Sequence, residues 1–208
     1  MDYLVRLATP QDVPFLAEIE SSAAQRFLPY LNDLGIPVTL LEGLATPDFF
    51  HRAQADDRLW VAVHSEPRHQ QQPVGFIVVK FLLESCFIVE LDVHADHGRK
   101  GIGSALVRAC LEGTRRRGFN RTTLTTFRHI PWNIPFYRRL GFEILPPEAW
   151  PNDIRAIVQH EARYGFARDK RVVMQQVDSL QQPHPTTGQA ASGQTAPTGH
   201  QHQQGWLS

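Results

Sequence analysis

The chain has 208 residues, 42% of them hydrophobic, and its 21 Lys and Arg residues balance its 21 Asp and Glu residues. A chain of this length holds one domain, or one domain followed by a tail. The balanced charge argues against a nucleic-acid or membrane partner, and no apolar run approaches the roughly 20 residues of a membrane span.

The first half of the chain predicts one strand, two helices and then three strands. Residues 3–7 are typical of a strand rather than of a signal peptide. Thr9 followed by Pro10 indicates a helix start with Thr9 as the N-cap, and Thr46 followed by Pro47 repeats the pattern. The three strands are predicted over residues 58–64, 74–81 and 87–93.

The second half predicts helices and strands in alternation. A long helix over residues 103–117 and a short helix that begins with Asn133 as its N-cap are each followed by a strand. Gly141 is expected to end the short helix. The remaining elements are strands over residues 122–127, 142–145 and 171–177 and a helix over residues 152–164.

A change of composition divides the chain near residue 179. The last thirty residues are rich in Gln, Pro, Thr, Gly and His and have few large apolar side chains. Such a segment buries too little surface to offset the entropy of ordering it. We therefore expect a domain over residues 1–178 and a disordered polar tail over residues 179–208.

The two cysteines, Cys86 and Cys110, have no metal-ligand spacing. We expect both to be buried free thiols. Free thiols fit a reducing, cytoplasmic setting. No metal is required by any motif in the chain.

The segment from Val93 to Ala105 joins a strand to a helix through a basic, glycine-rich turn. The glycines let the backbone approach a ligand closely, and the first N–H groups of a helix attract anions. Arg99 and Lys100 add positive charge at the rim. The segment therefore predicts a pyrophosphate-binding turn, although the spacing is not that of a P-loop for ATP.

A second motif, from Asn133 to Phe142, contains Phe136, Tyr137, Gly141 and Phe142. Together with the glycine-rich turn it resembles the GNAT superfamily of acyl-CoA-dependent N-acyltransferases, and the resemblance spans roughly residues 3–178. It implies an α/β fold whose mixed central sheet is flanked by helices and splayed between the fourth and fifth strands. Acetyl-CoA is the implied cosubstrate, with its pantetheine arm in the gap between those strands.

The resemblance implies a set of cofactor-binding residues. One position departs from the family pattern, because Gly98 stands where Arg or Gln is usual, and the basic side chains are shifted to the next two positions. The implied set is Leu91, Val93, Arg99, Lys100, Gly101, Ile102, Gly103, Ser104, Asn133 and Phe136.

The catalytic candidates are Tyr137 and Glu90. Tyr137 matches the family tyrosine that assists the departing thiolate, and the alternative is a packed core aromatic. Glu90 stands where many members carry a glutamate, and Asp92 shares its strand face because side chains alternate. We expect Glu90, or a water that it orders, to accept the proton of the amine. The alternative is that this face is solvated and its acids are ordinary.

The sequence therefore predicts an N-acetyltransferase that acts on a primary amine, with a small molecule favoured over a protein or peptide. A non-catalytic acyl-CoA-binding regulatory module is the alternative. Homodimers are common in the family, so a homodimer stays open. The candidate acceptor-binding residues are Glu20, Arg26, Tyr30, Asp92 and Phe127.

Overall fold

A computed structural model describes residues 2–38, 45–65 and 72–178. Within these residues lies a seven-stranded sheet in the order β1-β2-β3-β4-β5-β7-β6. Every neighbouring pair is antiparallel except β4 and β5, which are parallel. The strands are β1 (Tyr3–Leu7), β2 (Leu59–His64), β3 (Pro73–Phe81), β4 (Cys86–Val93), β5 (Arg121–Phe127), β6 (Glu143–Leu145) and β7 (Arg171–Val177).

Six α-helices accompany the sheet in the described residues. They are α1 (Leu16–Ala24), α2 (Leu31–Leu34), α3 (Pro47–Ala55), α4 (Ile102–Arg116), α5 (Asn133–Arg138) and α6 (Asn152–Arg163). The mixed α/β architecture confirms the predicted fold class. The predicted tail, residues 179–208, lies outside the described residues.

The two Thr-Pro sequences behave differently. Thr46 caps α3 as predicted, because its side chain accepts a hydrogen bond from the N–H of Phe49 at 3.2 Å. The predicted cap at Thr9 is wrong, since Thr9 donates to Asp12 through its N–H (2.7 Å) and its hydroxyl (2.8 Å). Asp12 also pairs with Arg6 at 2.6 Å, and a charged acceptor is the stronger partner. The first α-helix therefore begins only at Leu16.

The helices cover both faces of the sheet. Helix α4 packs on one face through Leu106, Val107 and Cys110, which are fully buried. Helices α1 and α3 pack on the other face, where Leu16 and Phe50 are buried. In the described ranges, no helix has the length and apolar character needed to cross a bilayer.

The β4–β5 pair opens into a wedge. Its register pairs run only from Cys86 with Thr122 to Ile88 with Leu124, so the later residues of both strands diverge. This confirms the splay predicted between the fourth and fifth strands. The gap leaves the backbone of the last β4 residues unpaired on the β5 side, and it is the natural place for an extended ligand to pair with the sheet.

A β-bulge sets the direction of the side chains at the wedge. Val78 of β3 pairs with Glu90 and Val79 pairs with Ile88, so Val89 is the extra residue. Beyond the bulge, Leu91 packs in the core under α4, whereas Glu90 lines a cavity that it shares with residues of α1. The bulge thereby directs polar side chains toward the wedge while β4 keeps an apolar face on α4.

Candidate active site

The glycine-rich turn leaves the N-terminus of α4 open to a ligand. Gly101 precedes the helix with φ 82°, and no side chain in the described ranges caps the helix there. The first helical bond runs from the N–H of Ala105 to the carbonyl of Gly101 at 3.0 Å, so the N–H groups before it have no intrahelical acceptor. Positive φ values need glycine or a strained residue, and Arg99 is such a residue, with φ 58°.

This turn has the chemistry of an anion site. Backbone N–H groups in a turn with left-handed residues form a concave cluster of donors, and the helix dipole adds positive potential. Arg99 and Lys100 are exposed at its rim. The Phe136 ring packs beside the turn, 3.4 Å from the point where Gly103 would carry a Cβ. These features fit a pyrophosphate.

A cavity of about 190 Å³ occupies the wedge between β4 and β5. The structure brings together most of the predicted catalytic and acceptor-binding residues in its lining, with the exception of Arg26 and Tyr30. Those two residues pack against Trp132. Arg26 Cζ lies 4.7 Å from the centroid of the Trp132 ring, and the ring centroids of Tyr30 and Trp132 are 5.4 Å apart. The predicted residues that line the cavity are Glu20, Glu90, Leu91, Asp92, Phe127, Asn133 and Tyr137.

Three carboxylates meet on the α1–β4 side of the cavity. Glu20 is 4% exposed, and its Oε1 accepts a hydrogen bond from the N–H of Ala45 at 3.2 Å. Glu90 Oε2 is inaccessible to solvent and has no hydrogen-bond partner in the described part of the chain. Buried polar atoms are nearly always hydrogen-bonded, so this oxygen is a place for a donor from a bound molecule.

Burial and mutual repulsion raise the pKa values of the two β4 carboxyl groups. Burial raises the pKa of Glu90 well above its ordinary value, and the charges of Asp92 and Glu20 raise it further. Burial also raises the pKa of Asp92 to about 7; hydrogen bonding to Glu90 opposes this rise, and the charge of Glu20 adds to it. Asp92 therefore exchanges its proton around neutral pH, and the protonation of each group affects that of the other.

Tyr137 stands on α5 at the edge of the same cavity. Its ring packs between Phe136 and Phe142, at centroid distances of 5.0 and 5.6 Å. Burial raises the pKa of its phenol, the charge of Asp92 adds to this rise, and the charge of Arg171 opposes it. The phenol therefore keeps its proton at neutral pH and can donate it.

Asn133 does not cap α5, so the predicted N-cap is wrong. Trp132 occupies the cap position with helical dihedral angles, and Asn133 is the first residue of the helix. A turn in which the N–H of Asn133 bonds the carbonyl of Ile130 at 3.2 Å leads into the helix. Asn133 is 9% exposed and lines the cavity. Gly141 ends this region with φ 85°, as predicted.

The opposite side of the cavity carries a buried ion pair that the sequence reasoning missed. Arg171 of β7 donates to Glu161 of α6 from Nε at 3.2 Å and from Nη2 at 3.1 Å. Thr125 of β5 accepts from Arg171 at 2.7 Å and donates to Glu161. The guanidinium also lies over the rings of Phe127 and Phe166. The helical pattern of residues 152–164 predicted the helix, but nothing in it singles out Glu161.

The arrangement can perform acid–base chemistry on a molecule held in the wedge. A carboxyl group whose pKa is about 7, as that of Asp92 is, can accept a proton near neutral pH, and a phenol that keeps its proton can donate one. The described residues contain no group of three or more His, Cys, Asp and Glu side chains able to hold a metal ion. Cys86 and Cys110 are buried free thiols, as predicted.

Comparison with known proteins gives one family and one fold. The sequence profile of the acetyltransferase (GNAT) family matches residues 29–142, more than half of the chain. The PaiA N-acetyltransferase from Thermoplasma acidophilum, solved in complex with coenzyme A, has a TM-score of 0.60 at 14% identity. That match covers 85% of this chain and 99% of that chain.

Two further solved structures share the fold. The ribosomal-protein-S18-alanine N-acetyltransferase from Escherichia coli has a TM-score of 0.58 at 16% identity, covering 89% of this chain and 99% of that one. The N-acetylglutamate synthase from Neisseria gonorrhoeae, complexed with coenzyme A and N-acetyl-glutamate, has a TM-score of 0.60 at 14% identity. The match covers 84% of this chain and 35% of the synthase. At these identities the likeness is one of fold.

Proposed function

Because the chain belongs to the GNAT acetyltransferase family, we propose that it transfers an acetyl group from acetyl-CoA to the primary amine of a small molecule. The observation that carries this proposal is the wedge cavity, where carboxyl groups and a protonated phenol face one small volume. The cavity, at about 190 Å³, is smaller than the roughly 300–1,000 Å³ of drug-sized pockets, which suits a short amine rather than a large acceptor.

Residues of the turn and of the wedge would hold acetyl-CoA, which supplies an activated acetyl group as a thioester. The N–H groups of Ile102, Gly103 and Ser104 would bind its pyrophosphate, with Arg99 and Lys100 beside them. The unpaired β4 backbone at Leu91 and Val93 would pair with the pantetheine arm and polarise the thioester carbonyl. Asn133 and Phe136 would line the same channel.

The groups in the cavity can accept and donate the protons that the reaction requires. An alkylammonium with a pKa near 10 is protonated at neutral pH, so it first gives a proton to Glu90 and Asp92, directly or through a water. The neutral amine then attacks the thioester carbon, and the C–N bond forms as the C–S bond breaks. Tyr137 gives its proton to the leaving sulfur, and the proton lost from the nitrogen restores the phenol.

Both substrates are bound together in this scheme, and the amine attacks the thioester directly. A covalent acyl-enzyme would need an activated nucleophile next to the thioester. Cys86 and Cys110 are buried, and neither lines the described cavity. The geometry therefore favours a ternary complex over an acyl-cysteine.

The proposal is tested by thiol release from acetyl-CoA with a panel of small amines and, separately, a peptide with a free amino terminus. Replacing Tyr137 with Phe should lower kcat by about 10²-fold, the lower range for a general acid, while the affinity for CoA is retained. Tyr164→Phe is the matched control, since Tyr164 is 45% exposed and should leave kcat unchanged.

Three results would contradict parts of the proposal. Acetylation of the peptide alone would refute a small-molecule acceptor. Tight CoA binding without turnover on any amine would instead indicate a binding module. An unchanged kcat in Tyr137→Phe would remove the tyrosine from the mechanism.

A further inference from the structure

The charges that line the wedge cavity are unequal. Glu20, Glu90 and Asp92 contribute three carboxyl groups, and among the described lining residues Arg171 is the one cation. Arg171 is already held by Glu161, whose side chain is 0% exposed. The lining therefore favours a positively charged occupant.

The chemistry of acetyl transfer calls for a second positive charge on that occupant. The reacting nitrogen must lose its proton before it attacks, and the amide product is neutral at that position. A substrate with one amine would thus neutralise one of the three carboxyl groups with the proton that it gives up, and it would supply no lasting positive charge to the other two. A second ammonium group keeps its charge from binding to product release.

We propose, on the basis of the proposed function, that the acceptor is a short aliphatic diamine or polyamine. Its second ammonium would interact with the carboxyl cluster of Glu20, Glu90 and Asp92. Its methylene chain would lie against the apolar part of the lining. The apolar lining residues include Ala24, Phe27, Ile88, Leu91, Leu124 and Phe166.

Three observations support a dication over other amines. Glu90 Oε2 is buried without a hydrogen-bond partner in the described residues, which suits an ammonium donor. The cavity volume fits a chain of a few carbon atoms rather than a large ligand, since drug-sized pockets are about 300–1,000 Å³. The Arg171 guanidinium is engaged by Glu161 and Thr125, so it is a poor partner for the carboxylate of an amino acid.

The test compares acceptors of equal length in the thiol-release assay with the wild-type protein and acetyl-CoA. The set is 1,4-diaminobutane, n-butylamine, 4-amino-1-butanol and 4-aminobutanoate, with spermidine as a longer polyamine. We expect kcat/KM for the diamine to exceed that for butylamine by about 10- to 100-fold, the range for a hydrogen bond between charged groups. The aminobutanoate should be the poorest acceptor of the set.

A charge-neutral variant locates the source of the preference. Glu20→Gln should reduce the ratio of diamine to butylamine turnover by about tenfold, because one carboxylate of the cluster is lost. Glu18→Gln is the control, since Glu18 lies on the same helix and is exposed. If Glu20→Gln fails to fold, the wild-type acceptor series decides the question by itself.

The outcomes separate this inference from the proposed function. Butylamine turned over as well as the diamine would overturn the inference, while acetylation of a small amine would stand. A preference for 4-aminobutanoate would also overturn it. If no acceptor in the set is acetylated and only the peptide reacts, both the inference and the small-molecule proposal fail.

Discussion

The two sides of the wedge cavity handle buried charge in opposite ways. On the β5–β7 side, Arg171 is bound by Glu161 and Thr125. On the α1–β4 side, Glu90 and Asp92 form no ion pair within the described part of the chain, and Glu90 Oε2 has no hydrogen-bond partner there. The charged groups on the first side have their partners within the protein, whereas the second side has hydrogen-bond acceptors that can bind a ligand.

The difference distinguishes a structural cluster from a reactive one. A buried charge that is fully hydrogen-bonded holds its protonation state and its position. Carboxyl groups that are enclosed side by side instead hold their protons more tightly than usual, and the pKa of about 7 that results for Asp92 lets it exchange a proton near neutral pH, which is the property a proton acceptor needs. We call the side with Arg171, Glu161 and Thr125 the paired wall and the side with Glu20, Glu90 and Asp92 the acidic wall. We infer that the paired wall positions the cavity and the acidic wall performs the chemistry.

The largest effect is expected from removing the charges of the acidic wall. The double variant Glu90→Gln, Asp92→Asn should lower kcat by about 10²- to 10⁴-fold, because it removes the proposed proton acceptors. Its free energy of unfolding should stay equal or rise, since two repelling buried acids become neutral amides. Thiol release and urea unfolding measure the two quantities.

Glu143→Gln is a suitable control for that double variant, because Glu143 is an exposed residue of β6. Wild-type kcat in the double variant would place the proton acceptor elsewhere. If the double variant instead loses much of its stability and keeps the kcat of the wild type, the acidic wall has a structural role, and the two walls do not differ in function.

Neutralising the carboxylate of the paired wall should lower the stability of the protein, in contrast to neutralising the acidic wall. Glu161→Gln leaves the Arg171 charge without its buried partner and should lower the free energy of unfolding by about 3 kcal/mol, at the lower end for a broken buried ion pair. Urea unfolding gives this value. Replacing both partners, as in Glu161→Leu with Arg171→Met, should restore much of the loss, because an apolar pair needs no compensating charge.

A small effect of Glu161→Gln on the free energy of unfolding would contradict the distinction between the two walls. If the single variant is as stable as the wild type, then Glu161 does not hold Arg171 in place, and the two walls differ only in composition. Full activity in a destabilised but folded variant would still be consistent with a structural wall.

Sequence reasoning predicted the parts of this contrast that are local in the chain. The acids of β4 were visible because they alternate along a strand, and the glycine-rich turn was visible because its residues are consecutive. The bulge at Val89 was not visible, since it arises from the register with β3. The paired wall joins residues from β5, α6 and β7, so no spacing along the chain indicates it.

The same limit explains the errors at helix starts. Thr9 and Thr46 both precede proline, yet only Thr46 caps a helix. What differs is Asp12, which is held by Arg6 and takes the hydrogen bonds of Thr9. Competition among nearby acceptors decides such caps, and propensity alone does not rank the competitors.

The pH dependence of activity gives the finest test of the comparison. Because burial raises the pKa of Asp92 to about 7, Asp92 is increasingly protonated below that pH and loses its ability to accept a proton. The kcat/KM for an amine should therefore fall by about tenfold per pH unit below pH 7. Between about pH 7 and the pKa of the amine it should stay level, because the charged amine that binds is then the predominant form.

The matched variants separate the two walls in this experiment. Asp92→Asn should flatten the acid limb of the profile, whereas Asp48→Asn, at an exposed position in the first turn of α3, should leave it in place. The sign for stability is opposite to that for activity. Between the ordinary value of 3.8 and about 7, the folded state binds more protons at Asp92 than the unfolded state does, so this group lowers stability as the pH rises. An acid limb that survives in Asp92→Asn but disappears in Glu161→Gln would transfer the proton-accepting role to the paired wall.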